Sequence, residues 1–417
     1  MYTLRRFYGP GFDRVNAIID SLSGHITSYV NLIGSATLPL PEVCRMEGLP
    51  GLACRAEGHR GARWFPGTGP IDLAESLIEE GARAVFGLDR SYDVSGQPHS
   101  ATQANHAVFR TVLGESGRPV AALSPADGGH ISHSLGVPPD TAFVRFPLSD
   151  SQIDYDELEK EVCRHRPGII VAGGTSYTRV IDYARLREIA DRAACHLHAD
   201  LAHTAPFVAG GLHPPAFPFV DSATIDTSKN LRGPRGGVLI YRQRDAREMQ
   251  RAIFPLTQSS PNQSGLLGKA ACLDHWARND VRPYAESMIR LARTLAEHTQ
   301  RSLGAPIYGE TDTHLLLFDV SRVGLTGQEA ETRLEAVHVL ANRNQVPGDP
   351  QPPWAPSGLR LGTTVLAILG YTPEDAGALG EAIGGVLCDR QGHDLTISDL
   401  LERYHRPLVS ISSEPTT

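Results

Sequence analysis

Short apolar runs alternate with stretches of helical periodicity between residues 97 and 224, and this alternation restricts the possible folds more than any other feature. Residues 97–103 lead into a helix through Val108 and Val112. A strand is expected over 119–123, a helix over 155–165, a strand over 168–172 and a helix over 182–195. Strands at 196–199 and 219–224 complete the series. Strands interleaved with helices predict an α/β fold with a mostly parallel central sheet covered on both faces. Ligands in such sheets sit beyond the carboxyl ends of the strands. Asp127, Thr175, Asp200 and Lys229 each follow an expected strand, so the topology allows them to converge.

Lys229 lies in a run of small hydroxyl, Gly and Pro residues over 223–237. The chain has only three lysines, Lys160, Lys229 and Lys269; arginine carries nearly all the other positive charge. Arginine cannot deprotonate and form an imine, so a lysine kept at this point suggests amine chemistry. Asp200 ends a short apolar run upstream. An imine-forming lysine with an aspartate partner for a pyridinium nitrogen is the pattern of pyridoxal phosphate enzymes. Ser100, Ala101 and Thr102 precede a helix, where hydroxyls and backbone N–H groups cradle a phosphate. Ser and Thr are also ordinary N-caps. A surface lysine and a structural ion pair are the plain alternatives for Lys229 and for Asp200 with Arg360.

The 417 residues suffice for a sizeable core and two domains. The expected division is an N-terminal helical arm over 1–30, a large cofactor-binding domain over 31–285, a smaller C-terminal α+β domain over 286–409 and a disordered tail over 410–417. A net charge of -8 with mixed signs points away from nucleic acid and membrane surfaces. No apolar run is long enough to span a bilayer, and the first residues lack a secretion signal. Six scattered cysteines without a CxxC pair read as reduced thiols of a cytoplasmic protein. The stretch 55–67 is too rich in Gly and charge for a packed element. It reads as a surface loop or, given Glu57 beside Trp64 and Phe65, as one lining a site. His99, His130 and His133 read as core or outer-layer histidines, and no metal is expected.

The ordered segments Arg55-Ala56-Glu57-Gly58, Gln97-Pro98-His99-Ser100, Gly128-Gly129-His130, Tyr155-Asp156-Glu157-Leu158, Asp200-Leu201-Ala202-His203, Lys229 with the segment 231–237, and Ser357-Gly358-Leu359-Arg360 resemble the serine hydroxymethyltransferase family over most of the chain. The resemblance implies a fold type I pyridoxal phosphate transferase with a smaller C-terminal α+β domain. It implies that Lys229 carries the cofactor covalently and that Asp200 pairs with its ring nitrogen. His203 would lie on the phenolic oxygen side, and Ser100, Ala101 and Thr102, with Thr175 and Arg235 nearby, would hold the cofactor. Arg360, helped by Ser35, would clamp the carboxylate of an amino-acid substrate. Glu57, contributed across a homodimer with shared active sites, would act as acid or base.

Departures from the family pattern accompany these matches. On this alignment the family's ring-stacking histidine corresponds to Asp127, its tyrosine before Ala-Glu-Gly to Arg55, its paired tyrosines to Trp64 and Phe65, and the histidine before its lysine to Ser228. Asp127 reads either as a turn residue or as a contact to cofactor or substrate. Arg55 reads either as a surface ion pair or as a phosphate contact. Trp64 and Phe65 keep aromatic surface for substrate without the hydroxyls. The expected activity is therefore folate-independent lysis or transfer at Cα or Cβ of a β-substituted L-amino acid in specialised metabolism. A cysteine S-conjugate is the preferred substrate, as in the related enzymes of lincosamide antibiotic biosynthesis, by β-elimination or by decarboxylation with oxidative deamination. A threonine transaldolase, an authentic glycine/serine hydroxymethyltransferase using tetrahydrofolate, and a catalytically silent binding protein are the alternatives.

Overall fold

The computed structural model describes residues 2–5, 11–48, 55–114, 116–137, 140–390 and 392–412. Cys54, parts of the expected N-terminal arm and residues 413–417 of the expected tail lie outside the described residues. The chain forms two compact units, Thr37–Glu286 and Met1–Ala36 with Ser287–Thr417.

The first unit is built on seven strands: β1 (Tyr92–Ser95), β2 (Val120–Ala122), β3 (Phe143–Arg145), β4 (Ile169–Ala172), β5 (His196–Asp200), β6 (Ser222–Asp226) and β7 (Gly237–Arg242). Their order across the sheet is β1-β7-β6-β5-β4-β2-β3. The five strands from β6 to β3 pair in parallel, while β7 runs antiparallel to both β6 and β1. The antiparallel edge has a local cause. The connection from β6 to β7 spans only ten residues, which is too short for a crossover helix, so the chain must turn straight back. β2 and β4 are buried throughout, as strands covered on both faces require.

The helices begin where side chains cap them. Asp154 accepts from Glu157 N at the start of Tyr155–His165, and Asp182 from Arg185 N at the start of Tyr183–Ala193. Each such cap contributes about 1 kcal/mol. Both helices end at a left-handed residue, Arg166 and Ala194. The expected elements at 155–165, 168–172 and 196–199 are all present, within one residue.

The stretch 55–67 departs from the expected loop. It contains a small antiparallel hairpin, Gly58–His59 with Ala62–Arg63. Arg63 pins it: its nearly buried guanidinium pairs with Asp72 and Glu75 of the helix Gly69–Phe86 and donates to Ala56 O at 2.9 Å and Gly58 O at 2.8 Å. Gln97 adds a bond to Gly58 O, and Ser260 accepts from Ala56 N at 2.9 Å. Glu57 therefore sits on a braced backbone.

In the second unit the three-stranded antiparallel sheet runs Leu315–Asp319, Gly358–Gly362, Asn342–Asn344. Its core includes Leu316, Phe318, Leu359 and Leu361 against Leu291, Leu295 and Leu379. Val30–Asn31 pairs in parallel with Val339–Leu340. Val409–Ser412 pairs in parallel with Tyr2–Arg5, so residues 410–412 form a strand where a disordered tail was expected. No helix among the described residues is long and apolar enough to cross a membrane.

Candidate active site

A narrow recess opens beyond the carboxyl ends of β5 and β6. It is lined by Ala101, Thr102, Asn105, His130, Gly174, Asp200, Ala202, His203, Asp226 and Lys229. Lys229 stands on the tight turn that joins β6 to β7. Thr227 closes this turn: its Oγ1 donates to Pro234 O at 2.7 Å and its backbone brackets Gly233 and Gly236. The next backbone carbonyl but one, at Leu231, accepts from Trp276 Nε1 at 2.7 Å, tying the turn to the helix Gln263–Arg278. Lys229 Nζ lies 3.1 Å from His203 Nε2 and 3.8 Å from Asp226 Oδ2.

Asp200 ends β5 and is buried. Its Oδ2 takes hydrogen bonds from His133 Nε2 and Asn105 Nδ2, both at 2.8 Å, and its Oδ1 from Ala202 N at 3.0 Å. Burial disfavours its charge, but the hydrogen bond and charge of His133, with Lys229 and His130, outweigh that and hold the carboxyl below the usual carboxylate range. A chain of contacts continues behind it: Asn105 Oδ1 meets His198 Nε2, and Ser222 Oγ meets both His198 and His196. Burial pushes His196 down to about 4 and His198 down to about 3. Their unfolded value is near 6.5, so between about pH 6.5 and 4 the unfolded chain binds more protons than the folded one. Stability conferred by the neutral rings is complete above about 6.5 and lost as pH falls through that window. Unfolding free energies from denaturant titration at pH 7 and 4.5 are expected to differ by about 2 kcal/mol or more from this pair alone, with the lower pH less stable.

The helix Ala101–Val112 presents its N-terminus to the same recess, capped by Ser100, which accepts from Gln103 N. β7 starts hard against this cap. A Cβ on Gly237 would meet Ser100 O at 2.5 Å, so only glycine lets the two backbones approach. Lys269 fixes the surrounding loop by donating to Gly96 O, Pro98 O and Gly237 O at 2.6, 2.8 and 3.1 Å. Burial pushes its amine down to about 7, a value suited to imine formation. It does not line the recess, however, and its nitrogen is occupied by the three carbonyls.

Of the two readings of Asp127, the structure fits the turn residue. Asp127 is fully buried, bonded to Ser124 Oγ and paired through both oxygens with Arg145. It ends a single turn that Ser124 caps and does not line the recess, so no cofactor contact is assigned to it. The imidazole that does line the recess is His130, three residues on. Burial pushes it down to about 4, so it presents a neutral ring at ordinary pH. His130 belongs to the matched Gly128-Gly129-His130 segment and lines the recess, whereas Asp127 just before it does not. His130, His133 and Asp200 also lie close enough to share a cation, but the direct 2.8 Å bond from His133 to Asp200 accounts for two of the three.

Of the remaining expected residues, Ala101, Thr102, Asp200, His203 and Lys229 meet in the recess. Thr175, whose N–H donates to Gly128 O, and Arg55, Glu57, Trp64, Phe65, Ser100 and Arg235 are not among its lining residues. Trp64 and Phe65 are exposed, and Trp64 contacts Phe254 edge-on at 5.1 Å. Ser35 and Arg360 belong to the second unit. There Arg360 is buried, its Nε donates to Asn342 Oδ1 at 3.1 Å, and burial pushes it down to about 10, where it stays charged at neutral pH. A Cβ on Gly34, the neighbour of Ser35, would come within 3.0 Å of Arg360 Nε. The sequence reading passed over Asp226 and Asn105. Asp226 lay unremarked in the run around Lys229, and Asn105 in helical periodicity.

These groups fit pyridoxal phosphate: an amine for its aldehyde, a buried anion for its ring nitrogen, a planar neutral ring, and a capped helix N-terminus for its phosphate. The chain matches the family model described as serine hydroxymethyltransferase over residues 13–383. It is 34% identical to a serine hydroxymethyltransferase of Halorhodospira halophila over 394 residues, covering 93% of this chain and 94% of that one. It is 36% identical to serine hydroxymethyltransferase 2 of Colwellia psychrerythraea over 368 residues, 87% of each chain, and likewise to serine hydroxymethyltransferase 4 of the same organism. Enzymes of this family carry pyridoxal phosphate covalently on a lysine. A catalytic α/β fold, a recess suited to that cofactor and matches along nearly the whole length agree: the chain belongs to the serine hydroxymethyltransferase family of pyridoxal phosphate enzymes.

Proposed function

We propose that this enzyme breaks a bond at Cα or Cβ of a β-substituted L-amino acid without folate, with a cysteine S-conjugate as its preferred substrate. The observation that carries the proposal is the exposed aromatic pair Trp64 and Phe65 on the braced segment after Glu57. Aromatic faces without hydroxyls favour an apolar β-substituent over a hydroxymethyl group. When bound, pyridoxal phosphate supplies an electron sink for the pair released at Cα.

The chain's own residues divide the remaining work. Lys229 carries the cofactor and moves protons through its Nζ. Asp200 would keep the cofactor's ring nitrogen protonated, and the neutral His130 ring lines the same recess. Ser100, Ala101 and Thr102 present the helix N-terminus to the phosphate, with Arg55 and Arg235 as candidate charges. Arg360, with Ser35, would receive the substrate carboxylate bidentately and so orient the bonds at Cα. Glu57 acts as acid or base from the second copy of a cytoplasmic homodimer.

A second reading, serine hydroxymethyl transfer to tetrahydrofolate, is supported by His130 and by the names of the similar proteins. Purified enzyme offered an S-alkyl cysteine, threonine with an aldehyde, and serine with tetrahydrofolate is expected to consume the first fastest, as measured by loss of amino acid. Rapid turnover of the serine pair alone overturns the lead, and turnover of threonine alone makes the enzyme a transaldolase.

A further inference from the structure

Four titratable side chains line the recess around Lys229: His130 from the turn after β2, Asp200 and His203 from the end of β5 and the loop after it, and Asp226 from β6. Lys269, on the helix Gln263–Arg278, adds its charge from behind Asp226. Both oxygens of Asp200 are already held by His133, Asn105 and Ala202. Asp226 differs. Its Oδ1 accepts from Ser228 N at 3.0 Å and from Ser228 Oγ at 2.7 Å, while its Oδ2 lies 3.8 Å from Lys229 Nζ. The backbone beneath is fixed, because Asp226 is the last paired residue of β6, opposite Gly237. The side chain is 17% exposed, so solvent screens it weakly.

We infer that Asp226 is a catalytic residue that holds and moves the proton of the Lys229 amine, oriented for this by Ser228. The inference rests on the reading of Lys229 as the cofactor lysine. In the step, an N–H bond of the Lys229 ammonium breaks and its electron pair stays on nitrogen. The proton forms an O–H bond on Asp226 Oδ2 and returns when the ammonium is regenerated. No oxidant or further reactant is needed. A carboxylate about 4 Å from the nitrogen also favours its protonated form, so the proton returns readily after it has been moved. Ser228, which breaks the family pattern beside the lysine, gains a purpose: its hydroxyl takes up one carboxylate oxygen and leaves the other directed at Nζ.

The test compares wild type, Asp226→Asn, Asp226→Glu and Ser228→Ala in the full chain without substrate. In the holoenzyme, the absorbance of the cofactor–lysine linkage is titrated against pH. In cofactor-stripped protein, acetylation of Lys229 by acetic anhydride is followed by peptide mass mapping at a series of pH values. Asp226→Asn is expected to lower both midpoints by about one pH unit or more, Ser228→Ala to lower them by less, and Asp226→Glu to restore most of the shift. Midpoints unmoved in Asp226→Asn overturn the inference alone. Cofactor that stays reducible onto the chain by borohydride in a Lys229→Ala variant overturns both the functional reading and this inference.

Discussion

A Lys229→Ala variant is expected to lose its covalent cofactor and about four orders of magnitude in turnover, the scale on which removing a covalent group acts. The other two lysines offer no rescue. Lys160 lies on the surface, paired with Glu157. Lys269 is enclosed by three backbone carbonyls on the far side of Gly236 and Gly237. Borohydride reduction followed by peptide mapping checks the linkage directly: label on Lys229 in wild type, and no labelled peptide in the variant. Stability should change little, since the Lys229 side chain is only partly buried and the turn is closed by Thr227 rather than by the lysine. A variant that keeps normal turnover would remove the imine from the mechanism altogether.

Asp200 is expected to have the second largest effect, and two substitutions separate its two roles. Asp200→Asn keeps the shape but removes the charge that holds a ring nitrogen protonated. Its turnover should fall by about a thousandfold, the upper range for loss of one preorganised electrostatic partner. Asp200→Ala should lose turnover to a similar degree and stability as well. It strands His133 Nε2 and Asn105 Nδ2 in a buried site, a loss of about 3 kcal/mol or more. Thermal unfolding should show the difference: a small shift for Asn and one of about 6 °C or more for Ala. Equal turnover in Asp200→Asn and wild type would show that the carboxylate serves the fold and not the reaction.

The alternating part of the fold was legible because its rules are local. Strands such as Ile169–Ala172 are continuous apolar runs, and helices such as Tyr155–His165 announce their starts with Asp caps. The hairpin at Gly58–His59 and Ala62–Arg63 was not legible, because its anchor is the ion pairing of Arg63 with two acids 9 and 12 residues away. Lys229 and Asp200 stood out through residue type and position. His130 and Asp226 did not, for a shared reason. Whether a side chain beside a strand end points into a recess depends on the course of the turn that follows, which residue type and spacing alone do not record. The antiparallel placement of β7 likewise depends on connection length, which periodicity alone does not register.

The division of the chain between its two units also sets a schedule for biosynthesis. The unit holding Lys229 is one uninterrupted segment, Thr37–Glu286, whereas the other combines the first 36 residues with everything after 286. At the ribosome the amino-terminal segment emerges first, yet Val30–Asn31 cannot meet Val339–Leu340 until roughly 300 further residues have been made. At about 5–20 residues per second that interval lasts on the order of half a minute. The cofactor-binding unit can complete its sheet within it, while the leading segment waits with its apolar residues Val30 and Leu32 uncovered. The pairing of Val30–Asn31 with Val339–Leu340 thus comes late in synthesis, after the whole Lys229 unit has been made.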